Sequence, residues 1–358
     1  MRGYTWGVMR NILLAATALA ALTTLPAAAQ APSPGLFTRW TPVGVGLEDA
    51  SVTSVAFDKD GVLHAGLKGY GTVGAYRLRP GSAIWERDAI GLGNQGEVAL
   101  VAWPDGAVTA QQCPDADCNV FLANGAAAGW SQAAGDKRHY VWQTLIANSR
   151  FIMLLRHSNT YGGLSYYTVS KAGKLEPLDK DTGLFSLGAS FPRQALSIGP
   201  SGTLYATSQK ALYRSQPNAP LTGASISWSR LPQPADAGLN FTSVIEDAQY
   251  NVFVANGMLD GTDARTYGVY KMGPTKTTWK NVTANLPESS SYELQFDSAG
   301  NLYSLTAGHG VWVLPAQATQ WLELNRGLAG DALTVNQFQF VNGVPYIATN
   351  AGVYIGQK

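Results

Sequence analysis

The chain has 358 residues, 46% of them hydrophobic and 14% charged, which is enough apolar material for a sizeable core and too little charge for a disordered segment. Lys and Arg number 25 against 24 Asp and Glu, with no basic run, so the positive stripe that binds a phosphate backbone is missing and nucleic acid is not an expected partner. No Gly-x-Ser-x-Gly elbow, His-Glu-x-x-His pair or phosphate-cradling Gly-Lys-Ser/Thr occurs, so no cofactor is expected and catalysis has no local signature.

At the amino terminus, Arg2 and Arg10 precede the apolar run "ILLAATALAALTTL", and "PAAAQ" puts Ala27 and Ala29 at the small-residue positions of a cleavage site. Residues 1–29 therefore read as a signal peptide and 30–36 as a linker. The run from Ile12 to Leu25 is shorter than the ~20 residues of a membrane-spanning helix. A mature chain without a membrane span, periplasmic or secreted and monomeric, is expected.

From residue 37 onward, four strand-like phrases recur in fixed order. The first ends at a turn: "TSVAFDKDG", "ALVAWPDG", "ALSIGPSG", "TSVIEDAQYN", "ELQFDSAGN" and "NQFQFVNG". Glycine after Asp, Asn or Ser is hairpin chemistry, because it adopts the positive φ that the turn demands. The second is the return strand, "VLHAGL", "AVTAQQ", "TLYATS", "NVFVAN", "NLYSLT" and "VPYIAT". The third follows a further loop, as in "GAYRL", "ALYRS", "GVYKM", "GVWVL" and "GVYIG". The fourth carries a tryptophan and, six residues later, Gly-Leu or Asn-Leu: "WERDAIGL", "WKNVTANL" and "WLELNRGL". Trp85, Trp130, Trp228, Trp279 and Trp321 occupy this slot, and residues 140–191 hold a further unit without it.

First strands are predicted near Val52, Val98, Trp142, Gln194, Thr242, Tyr292 and Thr334. The last unit ends at "GVYIGQK" and lacks a fourth strand, which "FTRWTPVGVGL" at residues 37–47 supplies from the other end of the chain. The prediction is an all-β, seven-bladed β-propeller of four-stranded antiparallel blades spanning residues 37–358, closed by the strand around Trp40. Six or eight blades are the alternatives. The slot tryptophans are expected to pack between blades, not to form a row for stacking sugars.

The phrases "FDSAGNLYSLTAGHGVWVL" and "TTWKNVTANLP" resemble repeats of the sialidase-like and BNR-repeat propellers, the photosystem II assembly-factor-like propellers and the two-component-regulator propellers. That resemblance implies a fold, since these groups include hydrolases, assembly factors, sensors and binding modules. The Asp-box Ser-x-Asp-x-Gly-x-Thr-Trp is broken: "GPTKTTW" and "GSAIWE" keep the Trp and lose the acidic turn. Of the arginine triad only "FPR" at Phe191 to Arg193 is reminiscent.

Connections from second to third strand are the expected ligand-binding loops, because they vary without disturbing the ring. "RHSNTYGG" carries Arg156, His157 and Tyr161, "NGMLDGTDARTYG" carries Asp260, Asp263 and Arg265, and His309 lies in a sixth-unit turn. These seven are the candidate ligand-binding residues. Asp260 and Asp263 read as a solvated acidic turn and not as calcium ligands, and no metal is expected. His64 reads as a blade residue, and His139 as part of an inter-blade segment. Cys113 and Cys118 in "QQCPDADCNVF", the only two cysteines, are expected to form a disulfide in an exported protein. Two functions follow: a binding or scaffold module for a protein or glycan, or a carbohydrate-active hydrolase or lyase.

Overall fold

The computed structural model describes residues 36–68, 74–93, 96–103, 106–113, 119–123, 129–132, 139–147, 150–157, 164–169, 175–179, 196–208, 211–217, 227–235, 237, 241–257, 268–288 and 292–358. Its described strands pair into antiparallel sheets of four, all but the last a meander in chain order. The first comprises Val52–Phe57, Leu63–Leu67, Gly74–Leu78 and Glu86–Arg87, and the second Glu97–Ala102, Val108–Cys113, Asn119–Ala123 and Trp130–Gln132. The third is His139–Ala147, Arg150–His157, Leu164–Val169 and Leu175–Asp179, and the fourth Leu196–Ile198, Leu204–Ser208, Ala211–Ser215 and Trp228–Leu231. The fifth is Phe241–Glu246, Val252–Asn256, Gly268–Met272 and Lys280–Asn281, and the sixth Tyr292–Phe296, Leu302–Thr306, Gly310–Leu314 and Leu322–Glu323. The seventh joins Val335–Val341, Val344–Thr349 and Gly352–Gln357 to the amino-terminal strand Arg39–Pro42.

That last pairing is antiparallel, with Arg39 opposite Gln357 and Pro42 opposite Tyr354. The strand predicted to complete the final sheet therefore does so. Each sheet's first strand packs on the neighbouring sheet, and Val52–Phe57 touches both Glu97–Ala102 on one side and Val335–Val341 on the other. Second strands, sandwiched between neighbouring sheets, are buried along their whole length in "LHAGL", "VFVAN" and "LYSLT". Fourth strands are the opposite: Glu86–Arg87, Lys280–Asn281 and Leu322–Glu323 are two exposed residues each, which leaves little edge for another chain to pair with.

The tryptophan phrase is a clasp between consecutive sheets. Trp40, Trp85, Trp130, Trp279 and Trp321 donate their indole N–H to the carbonyls of Leu324, Val43, Asp88, Pro232 and Val282, at 2.6 to 2.9 Å. The backbone N–H of Trp40 reaches Arg326, that of Trp85 reaches Val45 and that of Trp130 reaches Ile90, in each case the residue just before the Gly-Leu of the preceding unit. At Gly327 a Cβ would lie 2.2 Å from the Trp40 carbonyl, and φ is +94°. Glycine there answers both a close approach and a left-handed backbone. In the Asn-Leu version, Asn285 does the same work with its side chain, accepting from Trp321 N–H at 2.8 Å and donating to its carbonyl at 3.0 Å.

The hairpin turns have an equally specific cause. Asp58, Asp247 and Asp297 each accept two backbone N–H groups from the residues two and four positions on, all at 2.8 to 2.9 Å. His64, buried in the first sheet, binds Asp58 through Nε2 at 3.2 Å, and its Nδ1 faces Asp88 at 3.8 Å. It is a blade residue, as expected. His139 is not in an inter-blade segment: it opens the first strand of the third sheet, opposite His157, because the hydrophobic run following it is already committed to pairing with Arg150–His157. Leu36 and Phe37, at the edge of the predicted linker, are buried against Trp40, Tyr303 and Phe338.

Candidate functional site

Between the fourth and fifth sheets lies a cavity of about 460 Å³, within the usual range for small-molecule sites. It is built from two kinds of connection. The first-to-second-strand turns contribute Ser201 and Tyr250, and the third-to-fourth-strand connections contribute Gln216, Ser227 and Pro274. Both open at one end of the sheets; the second-to-third-strand loops leave from the other.

Glu246, the one carboxylate in the cavity wall among the described residues, ends the first strand of the fifth sheet and is only 8% exposed. Its Oε2 accepts the Ser201 hydroxyl at 2.6 Å and the Ser201 N–H at 3.1 Å, while Oε1 accepts the Tyr205 hydroxyl at 2.8 Å. A buried carboxylate needs such partners. Glycine at 199 makes room for it: a Cβ there would sit 1.9 Å from Glu246 Oε2. Burial, and then the bond to Glu246, push the Tyr205 hydroxyl well above its ordinary pKa, so it remains a proton donor at any physiological pH. Arg214 pulls the other way.

Arg214 stands between Tyr205 and Ser229 in strand register, so all three side chains share one sheet face. It is exposed and, among the described residues, forms no ion pair. Gln216 Oε1 accepts the Ser227 N–H at 3.0 Å, fixing the rim, and Val252 and Met272 give the wall its apolar part. The cavity thus offers an exposed guanidinium, several hydroxyls and an apolar patch around a carboxylate already satisfied by its neighbours.

Tyr250 is the outlier. Its backbone is left-handed, with φ 62°, and the residue is 51% exposed at the cavity wall. The corresponding turn position is Gly61 in the first sheet, Gly106 in the second, Gly202 in the fourth and Gly300 in the sixth, all with positive φ and the same N–H donation to the first turn carbonyl.

Of the residues predicted from sequence, His309 is described: it is exposed in the sixth sheet's second-to-third-strand turn. Its carbonyl accepts the Trp312 indole N–H at 3.0 Å and the Asn325 amide at 2.9 Å, so its backbone is structural. Arg156 and His157 end the second strand of the third sheet, opposite Tyr140 and His139, at that same end of the sheets. Tyr161, Asp260, Asp263, Arg265 and Cys118 lie outside the described residues, as does the side chain of Cys113. The described cavity is at the opposite end. Sequence reasoning passed over Ser201, Tyr205, Arg214, Glu246 and Tyr250, although Tyr250 stands in the quoted phrase "TSVIEDAQYN" where its counterparts have glycine.

No protein-family model and no curated protein matches the chain. Solved structures do. The extracellular domain of the one component system BT4673 from B. thetaiotaomicron superposes with a TM-score of 0.65 at 15% identity, over 90% of this chain and 40% of that one. This chain thus spans about two fifths of that relative's length. A streptogramin B lyase gives 0.62 at 10% identity, over 90% of this chain and 99% of the lyase. YCF48 bound to D1 peptide gives 0.61 at 13% identity, over 91% and 99%. Four-stranded antiparallel sheets packed side by side, with these neighbours, identify the chain as an all-β protein of the β-propeller fold.

Proposed function

We propose that this chain is a seven-bladed propeller, exported from the cell, that acts as a binding or scaffold module for a protein or glycan seated in the cavity between its fourth and fifth sheets. The observation that carries the reading is the state of Glu246: two side-chain donors and a backbone N–H already hold its oxygens. A hydrolase of the two-carboxylate kind needs a pair of free carboxyls ~5–10 Å apart across a cleft, whereas the described part of this wall offers donors, an exposed guanidinium and apolar surface for recognition. Extracellular domains and a peptide-bound protein among the similar structures are in keeping with it. The opposite end, with Arg156, His157, Tyr161, Asp260, Asp263, Arg265 and His309, is proposed as a second recognition face.

The test is a screen of the mature chain on glycan and peptide arrays, repeated with Ser229→Trp. Ser229 is an exposed cavity residue, so the indole fills the site without entering the core. Hits that disappear with Ser229→Trp support the cavity. Hits that survive it and vanish with Tyr161→Ala and Arg265→Ala move the binding site to the other end.

A further inference from the structure

We infer that the cavity is a carbohydrate site in which the ring of Tyr250 is the platform for a neutral pyranose. The inference rests on the binding reading above and gives it a ligand class.

Its starting point is a comparison of two turns. Asp297 accepts the N–H groups of Ala299 and Asn301 and binds the Asn301 amide through Oδ2 at 2.7 Å. Asp247 accepts those of Gln249 and Asn251 and binds the Asn251 amide at 2.7 Å as well. In both, the residue before the asparagine donates its N–H to the first turn carbonyl and has a positive φ: Gly300 at 81°, Tyr250 at 62°. One hydrogen-bond scheme is therefore satisfied in one sheet by glycine, which adopts that backbone freely, and in the next by a tyrosine, which adopts it against steric preference. The turn itself does not require the tyrosine. Backbone strain that is retained where the fold has a cheaper solution points to function.

What the ring does follows from its surroundings. Tyr250 as a residue is about half exposed and lines the cavity, and among the described residues its ring stacks on no other. An aromatic face carries negative charge density and attracts the positively polarised C–H face of a sugar ring. A pyranose also has a rim of hydroxyls, each needing a donor or acceptor when it leaves water. The same wall supplies Ser201, Thr203, Ser227, Ser229, Gln216 and Arg214. Amide, hydroxyl and guanidinium groups around one aromatic suit an amphipathic ring edged with hydroxyls, and the satisfied carboxylate of Glu246 disfavours an anionic sugar.

The experiment is calorimetric titration of cellohexaose, chitohexaose, xylohexaose and maltohexaose into the wild-type chain and into Tyr250→Gly, Tyr250→Phe and Ser229→Trp, with a melting curve for each. At least one sugar should bind the wild type. Tyr250→Gly should weaken it several-fold, up to about tenfold, the worth of one aromatic platform, without lowering the melting temperature, because glycine suits the turn. Tyr250→Phe should keep most of the affinity, and Ser229→Trp should abolish it. No binding to any of the four, undiminished affinity in Tyr250→Gly, or a Tyr250→Gly chain that melts lower and binds normally overturns the inference. A peptide-array hit lost in Ser229→Trp and untouched by Tyr250→Gly overturns the sugar and leaves the binding module standing; a Ser229→Trp chain that binds every ligand as well as the wild type removes the cavity as the site.

Discussion

Tyr205 and Tyr303 occupy the same position in their return strands, and each gives its hydroxyl proton to a carboxylate at a turn, Glu246 at 2.8 Å and Asp297 at 3.1 Å. Both hydroxyls titrate well above the ordinary value of 10.0, first because they are buried and then because of the neighbouring carboxylate. Between about pH 10 and the raised folded value, the unfolded chain has lost protons that the folded chain keeps. Stability from these groups is therefore fully present below pH 10 and is lost as pH rises through that window. Urea unfolding from pH 9 to 12 should show that decline, and Tyr303→Phe, which has nothing to ionise, should flatten it; equal slopes in both chains would refute the assignment. Sequence patterning made the slot tryptophans legible, because a Trp six residues before Gly-Leu recurs. Glu246 was not legible, since its burial depends on the space left by Gly199 one sheet away. Tyr250 was readable only by aligning the turns against one another and asking which lacks its glycine.

At the scale of the strand, Arg39–Pro42 does two things for the seventh sheet. It covers the backbone edge of Gly352–Gln357, and it brings Trp40, 1% exposed, into a cluster with Phe37, Tyr303 and Phe338. The rings interlock, Phe37 meeting Trp40 edge-on at 4.6 Å and stacking on Tyr303 at 5.8 Å. Losing one large aromatic from such a core costs roughly 3–5 kcal/mol, a large part of the ~5–15 kcal/mol that holds a domain together. Deleting residues 30–47 should yield a chain that unfolds or self-associates through the bared edge, as read by size-exclusion chromatography and melting; a monomer with unchanged melting would refute this. Strand order and first-strand starts were legible to within a few residues from turn residues and alternation. The start of the third sheet was misjudged by three residues, at Trp142 in place of His139, because it has no Gly-Leu phrase before it to mark the boundary.

For the molecule as a whole, the repeat made the kind of fold legible and left the site out of view, since a cavity between sheets unites residues some 70 positions apart that no local motif connects. The proposed export carries one check that needs no structure: thiol titration of the native protein should find none free at Cys113 and Cys118, and two reactive thiols would refute the pairing. The clasp between Trp40 and Leu324 joins groups 284 residues apart in the chain, and that separation has a kinetic consequence. Arg39–Pro42 must wait for Gly352–Gln357 before it has a partner, so this closure is a high-contact-order step and belongs at the end of folding. Until then one sheet edge and the Phe37–Trp40 aromatics are open to other molecules. During that interval dilution is what keeps two unfinished chains from pairing through those surfaces.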